Sequence, residues 1–254
     1  MIELYNTILF QQLFNALIFL YNVTGDIGIA IVLLTIVIKI ILYPLSHQAI
    51  RSQKALLKLQ PKIDALRAKY KDSREKMAQE LMALYKAQKV NPLSSCLPLL
   101  IQLPFLIAVY QVFIRGLDAA PFELLYPVVA NPGLIDNLSL GFVDMGERNI
   151  ILAVLAGAAQ FWQAKMLVTR RPAQAVPGSK DENMMAMMNK QMVYFMPALT
   201  FFIGLSLPGG LVLYWFVVTL LTALQQLWMF RGDKPNAPDQ PEVVGAGTSS
   251  TPQP

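Results

Sequence analysis

Five apolar runs set the organisation of the chain: Ile27–Tyr43, Leu97–Ile114, Ile150–Val168, Met192–Leu207 and Leu211–Phe230. Each approaches the ~17–25 residues that carry a helix across ~30 Å of hydrocarbon. A helix is also the one open structure that satisfies its own backbone there, so the pattern predicts five transmembrane helices. Pro208-Gly209-Gly210 leaves only a tight turn between the last two runs, which makes them antiparallel neighbours.

Two further segments have a helical period without the length of a span. In residues 1–26, Glu3, Thr7, Gln11, Asn15 and Asn22 share one helix face, and Leu4, Ile8, Leu9, Leu13, Phe14, Leu17 and Phe19 form the other. This predicts an interfacial amphipathic helix on the outer leaflet. A basic start and a small-residue cleavage site are both missing, which argues against the alternative of a targeting sequence. Between the first two spans, Leu56, Leu59, Ile63 and Leu66, and then Met77, Leu81 and Leu84, recur at helical spacing and predict a helical hairpin over 48–95. Pro61 bends its first arm or marks a restart. Asp72 with Glu75 has the form of a capping box opening the second arm, and Asn91-Pro92 closes it. Residues 231–254 are rich in Pro, Gly and Ser and are expected to be a disordered tail.

Composition turns this pattern into a class. Hydrophobic residues make up 55% and charged residues 15%, and the mean hydropathy is +0.45, which is too apolar for an ordinary soluble domain. Charge then gives orientation. Of 21 Lys and Arg residues, eleven lie in Gln48–Ser95 and five in Lys165–Lys190, whereas residues 1–28 carry none and Leu117–Asn149 carries only Arg148. The positive-inside bias puts both basic segments in the cytoplasm, the amino terminus outside and the carboxyl terminus inside. The net charge of +5 is therefore a topology signal and not a nucleic-acid footprint.

The chemistry in the apolar runs is sparse. Lys39 stands inside the first run, where an ammonium near the centre of a spanning helix costs roughly 2.5–3.5 kcal/mol, and no acidic residue lies within the runs to pair with it. It calls for a hydrated recess. Thr35 lies one turn before it on the same face. Cys96 is the single cysteine, which excludes an internal disulfide and a thiolate metal cluster. His47 is the single histidine, and without a carboxylate in the runs it forms no proton relay or metal site, so neither an enzyme nor a cofactor is expected. Met184, Met185, Met187, Met188, Met192 and Met196 gather before and into the fourth run, as adaptable apolar surface or as flexible core filler.

The segments LQPKIDALRAKY (Leu59–Tyr70), MAQELMALYKAQKVNPLSSCLPLLIQLPF (Met77–Phe105), MPALTFF (Met196–Phe202) and LPGGLVLYW (Leu207–Trp215) closely resemble the YidC/Oxa/Alb family of membrane protein insertases, over about Ile27–Arg231. The bacterial YidC branch fits best, as a short form or core without the large extracytoplasmic domain that some relatives carry. The resemblance implies an all-α polytopic membrane protein of the bacterial inner membrane, with five transmembrane helices around a hydrophilic groove open to the cytosol and sideways to lipid. Lys39 matches the family's basic groove residue, usually arginine; lysine keeps the charge but not the planar fork. Gln102 matches a polar groove position, and Gln160, Gln163 and Tyr214 are further polar candidates. Leu103, Pro104, Phe105, Trp215 and Phe216 match the mouth that meets substrate helices. The implied activity is insertion of nascent membrane proteins, with lipid, the Sec translocon and the ribosome or signal recognition machinery as partners, and the chain as a monomer. An assembly chaperone beside the translocon is the alternative. A small transporter fits less well, because the eleven-charge hairpin has no counterpart in the second half.

Overall fold

The computed structural model describes residues 9–70, 72–91, 97–114, 122–169 and 191–231. Glu3, Leu4, Thr7, Ile8, Cys96, Met184, Met185, Met187, Met188, the Pro92 stop and the tail from 232 onward lie outside them. The described chain forms helices α1 (Gln11–Thr24), α2 (Ile27–Ile41), α3 (Tyr43–Lys69), α4 (Arg74–Ala87), α5 (Leu97–Ile114), α6 (Ile150–Thr169), α7 (Met196–Gly204) and α8 (Gly209–Phe230). Between α5 and α6 lie a 3-10 turn (Phe122–Leu124) and a small antiparallel hairpin of β1 (Leu138–Ser139) and β2 (Val143–Asp144).

Among the described residues two helices, α6 and α8, are long and apolar enough by themselves to cross a membrane. The first apolar run ends earlier than its composition suggests: α2 stops at Ile41, and after Leu42 the chain continues into α3 at a bend of 68°. Pro44, in the first turn of α3, has no N–H for the carbonyl of Ile40, which explains why the two helices do not fuse. Gln102–Phe113 and Val193–Gly204 form shorter apolar helices.

Packing around α6 differs from the expected pairing of the last two runs. α6 packs extensively against both α7 and α8, so the main partner of each is α6 and not the other. Small residues permit the approach: a Cβ on Gly157 would stand 3.2 Å from Phe201 Cβ, and one on Gly204 would stand 3.2 Å from Ala153 Cβ. The main core gathers Phe14, Leu17 and Ile18 of α1, Ile31, Leu34 and Ile38 of α2, Val109, Val112 and Phe113 of α5, and Leu211, Val212 and Tyr214 of α8. Ile40, Ile41, Ile151, Phe202 and Trp228 face outward, the distribution of a protein whose solvent is lipid.

The polar stripe of α1 is occupied by protein. Gln11 and Asn15 each donate a side-chain N–H to Leu124 O (3.0 and 2.9 Å), Asn15 Oδ1 accepts from Tyr126 N (2.7 Å), and Asn22 Nδ2 donates to Ala130 O (2.7 Å). Phe19, assigned to the apolar side, is exposed.

The basic hairpin forms as α3 and α4. Leu59 and Ile63 are buried, and Leu56, Leu66, Met77, Leu81 and Leu84 are half-buried, which matches the predicted stripes. Helix α3 runs through Pro61 as one element, so no restart occurs there. The expected capping box is absent: α4 starts at Arg74, the cap position falls on Ser73, one residue after Asp72, and no side-chain cap bond forms.

Candidate functional site: the polar seam of α2, α3, α5 and α8

Lys39 lies in the last turn of α2, close to the bend and not near the middle of a spanning helix. The negative end of the helix macrodipole favours a cation there. Its Nζ donates to Thr222 Oγ1 of α8 at 2.8 Å, and the Thr222 hydroxyl in turn donates to Val218 O at 2.6 Å. Among the described residues no carboxylate pairs with Lys39. Thr35 is fully buried, and its hydroxyl donates to Ile31 O of its own helix at 2.7 Å, so that donor is already engaged.

Gln102 and Tyr214 meet across α5 and α8, the Gln102 Nε2 donating to the tyrosine hydroxyl. Tyr214 marks a boundary. Its ring is buried with Leu17, Ile31, Leu34, Val112 and Phe113 around a small apolar recess, while its oxygen faces the amide. Leu103 is exposed, whereas Pro104, Phe105, Trp215 and Phe216 are half-buried, with Phe105 and Phe216 packed on the core.

Toward the end of α8 the seam continues with Ser46, Gln53, Lys54, Gln225 and Gln226, which carry no assignment from sequence, and with the candidate Gln163. Ser46 Oγ and the Gln225 amide exchange hydrogen bonds of 3.1–3.2 Å. Gln226, nearly fully buried, donates to Gln53 Oε1 at 3.2 Å and accepts from Gln163 Nε2 at 3.4 Å, tying α3, α6 and α8 together. Gln160 is half-buried. Lys54 Nζ donates to Met229 O at 2.9 Å, covering one of the carbonyls that a helix end leaves unpaired. The signal for these contacts was present in the sequence: Thr222, Gln225 and Gln226 recur on one face of an otherwise apolar helix. What could not be read was which helix they face. Among the described residues no His, Cys, Asp or Glu cluster is placed to hold a metal ion.

At the opposite end of α2, Asp26 caps the helix by accepting from Ile29 N at 2.9 Å. It also accepts from Ser139 Oγ and Leu140 N, each at 2.6 Å. Burial acts to raise its carboxyl, but the hydrogen bonds from Ser139, Leu140, Ile29 and Gly28 outweigh it and hold the group below the usual aspartate value.

A helical chain with an apolar exterior and a polar interhelical seam is an integral membrane protein. The 60Kd inner membrane protein family model matches residues 19–236, and the chain belongs to that family, which places it in the bacterial inner membrane. It is 35% identical over 225 residues to the membrane protein insertase YidC of Nitratidesulfovibrio vulgaris, covering 89% of this chain and 38% of that protein. It is 36% identical over 228 residues to that of Syntrophobacter fumaroxidans, covering 89% and 38%. These are names of an insertase and not of an enzyme. The chain thus spans well under half the length of these curated relatives. The fold is similar to a crystal structure of an active YidC insertase with its first transmembrane domain resolved, with a TM-score of 0.55 and 27% identity over 87% of this chain and 47% of that one.

Proposed function

We propose that the chain is a membrane protein insertase that moves short polar segments across the inner membrane and releases apolar helices sideways into lipid. Five transmembrane helices would enclose a groove open to the cytosol, with the amino terminus outside and the carboxyl terminus inside. Family membership supports this class of activity. The observation that carries the mechanism is Lys39, held by the neutral Thr222 hydroxyl and lacking a carboxylate partner among the described residues. Its charge is then available to acids in a translocating segment. Crossing hydrocarbon is costly for a polar segment, and a hydrated recess shortens the apolar path. Once the polar part has crossed, burial of the client's apolar side chains in lipid, at roughly 25 cal/mol per Å², drives release without nucleotide hydrolysis. Gln102, Thr35 and Tyr214 would accompany Lys39 in the groove, and Leu103, Pro104, Phe105 and Trp215 would form the mouth.

The test is reconstitution of the purified chain in liposomes with one client bearing a short acidic tail. Protease-protected tail is the expected result. Protection only when the Sec translocon is added would replace insertion with assisted assembly.

A further inference from the structure

The chain between α5 and α6 has an unusual distribution of polarity. Residues 127–143 carry one charged side chain, Asp136, and no Lys or Arg. Within that stretch Leu134, Leu140 and Phe142 are 82%, 65% and 75% exposed, while Ile135 and Ser139 turn inward and are buried. The neighbouring carboxylates are occupied by the protein itself: Asp136 accepts from Leu138 N (2.9 Å), Asp144 from Gly146 N and Glu147 N (2.8 and 3.2 Å), and Asp26 from Ser139 and Leu140. Acids are spent on backbone donors and apolar side chains project outward, the reverse of a loop built for water.

The segment is also held firmly. The turn of the β1–β2 hairpin is closed by Phe142 N donating to Ser139 O at 3.2 Å, with Leu140 and Gly141 at φ of 53° and 79°. Such positions favour Asn and Gly, so an outward leucine there is a costly choice for a solvated turn. Gly28 leaves no space between α2 and Ser139, and Gly209 and Gly210 donate backbone N–H groups to Glu147 O and Met145 O (2.7 and 2.8 Å). The hairpin therefore sits at the end of the bundle where α2, α6 and α8 begin. Val23, at the end of α1, and Ile150 and Ile151, in the first turn of α6, are 69%, 68% and 69% exposed at the same end.

We infer that Leu134, Leu140 and Phe142 dip into the headgroup and acyl boundary of the bilayer, making the β1–β2 hairpin a fixed lipid anchor continuous with the apolar ends of α1 and α6. The partner is the lipid surface itself, entered by apolar side chains without help from anionic headgroups, since the segment lacks cations.

The test uses the full chain with Cys96→Ser and single cysteines at Phe142, Leu140, Ile151 and Glu147, each spin-labelled in phosphatidylcholine liposomes. Collision with oxygen is compared with collision with a water-soluble nickel chelate. Labels at Phe142 and Leu140 are expected to favour oxygen several-fold over the label at Glu147 and to resemble Ile151. Should Leu140→Cys disturb the turn, Leu134→Cys supplies an independent position. Chelate access at Phe142 equal to that at Glu147 would overturn the anchor, and so would spin–spin broadening showing that a second copy covers the hairpin.

Discussion

At the scale of single residues, Lys39 shows how a charge can be held without being neutralised: a hydroxyl accepts a hydrogen bond from its ammonium and leaves the net charge intact. Lys39→Arg should keep insertion of a client with an acidic tail, and Lys39→Ala should slow it about tenfold, the equivalent of roughly 1.4 kcal/mol. Equal insertion by parent and Lys39→Ala would remove electrostatic attraction from the mechanism. Hydration is a separate matter, checked by cysteine labelling in a Cys96→Ser background. A membrane-impermeant reagent added from the cytosolic side should modify Lys39→Cys faster than Ile38→Cys or Ile40→Cys, the first buried and the second outward-facing. Asp26 gives a prediction with a definite sign. Its carboxyl lies below the usual aspartate value, so it stabilises the folded chain above that pH, and the contribution is lost as pH falls through the lower, folded value. Asp26→Asn keeps an accepting oxygen at the cap but loses the charge that strengthens the bonds from Ile29, Ser139 and Leu140, so it should cost about 1 kcal/mol at neutral pH, and thermal melting in detergent should show the gap from the parent closing in acid.

At the scale of elements, what was legible followed from periodicity. The stripes of Leu59 and Ile63 against Met77, Leu81 and Leu84 announce α3 and α4, because a 3.6-residue repeat needs no knowledge of the rest of the fold. The end of α2 at Ile41 was not legible, since apolar composition continues through Tyr43 and only the missing N–H of Pro44 interrupts it. The stripe of Gln11, Asn15 and Asn22 was read correctly as one face, but a polar face is equally suited to water and to the carbonyls of residues 124–130, and spacing cannot distinguish them. The same limit hid what holds the base of the hairpin. Ser46, Ile50, Gln53 and Lys54 bind it to α8 and the end of α6. A deletion of Lys58–Lys86 closed by a Gly-Ser linker should spare these contacts, leave a folded chain by gel filtration in detergent, and strongly reduce insertion. A deletion that starts at Lys54 also removes the bond to Met229 O and should melt at lower temperature.

At the scale of the molecule, the face where α2 and α8 begin is close-packed and the opposite end is joined through polar side chains. Gly210 belongs to the packed face: a Cβ there would run into the ring of Phe113 and stand 3.1 Å from Ile31 Cδ1. Gly210→Ala should cost roughly 1–3 kcal/mol by overpacking, read as a lower melting temperature in detergent, with Phe113→Leu in the same chain restoring part of it. The long third helix has a different consequence. At 1.5 Å per residue, its 27 residues extend about 40 Å, and the hydrogen bonds from Ser46, Gln53 and Lys54 that tie it to α8 leave from its first half. A tilt of about 10° around Ile50, in the middle of that base, sweeps the tip at Lys69, about 29 Å away, through roughly 5 Å. Whatever touches the tip thus works on a lever arm whose short end carries the 3.1–3.2 Å hydrogen bonds of Ser46 and Gln53 to Gln225 and Gln226, one turn of α8 beyond the Thr222 hydroxyl that holds Lys39.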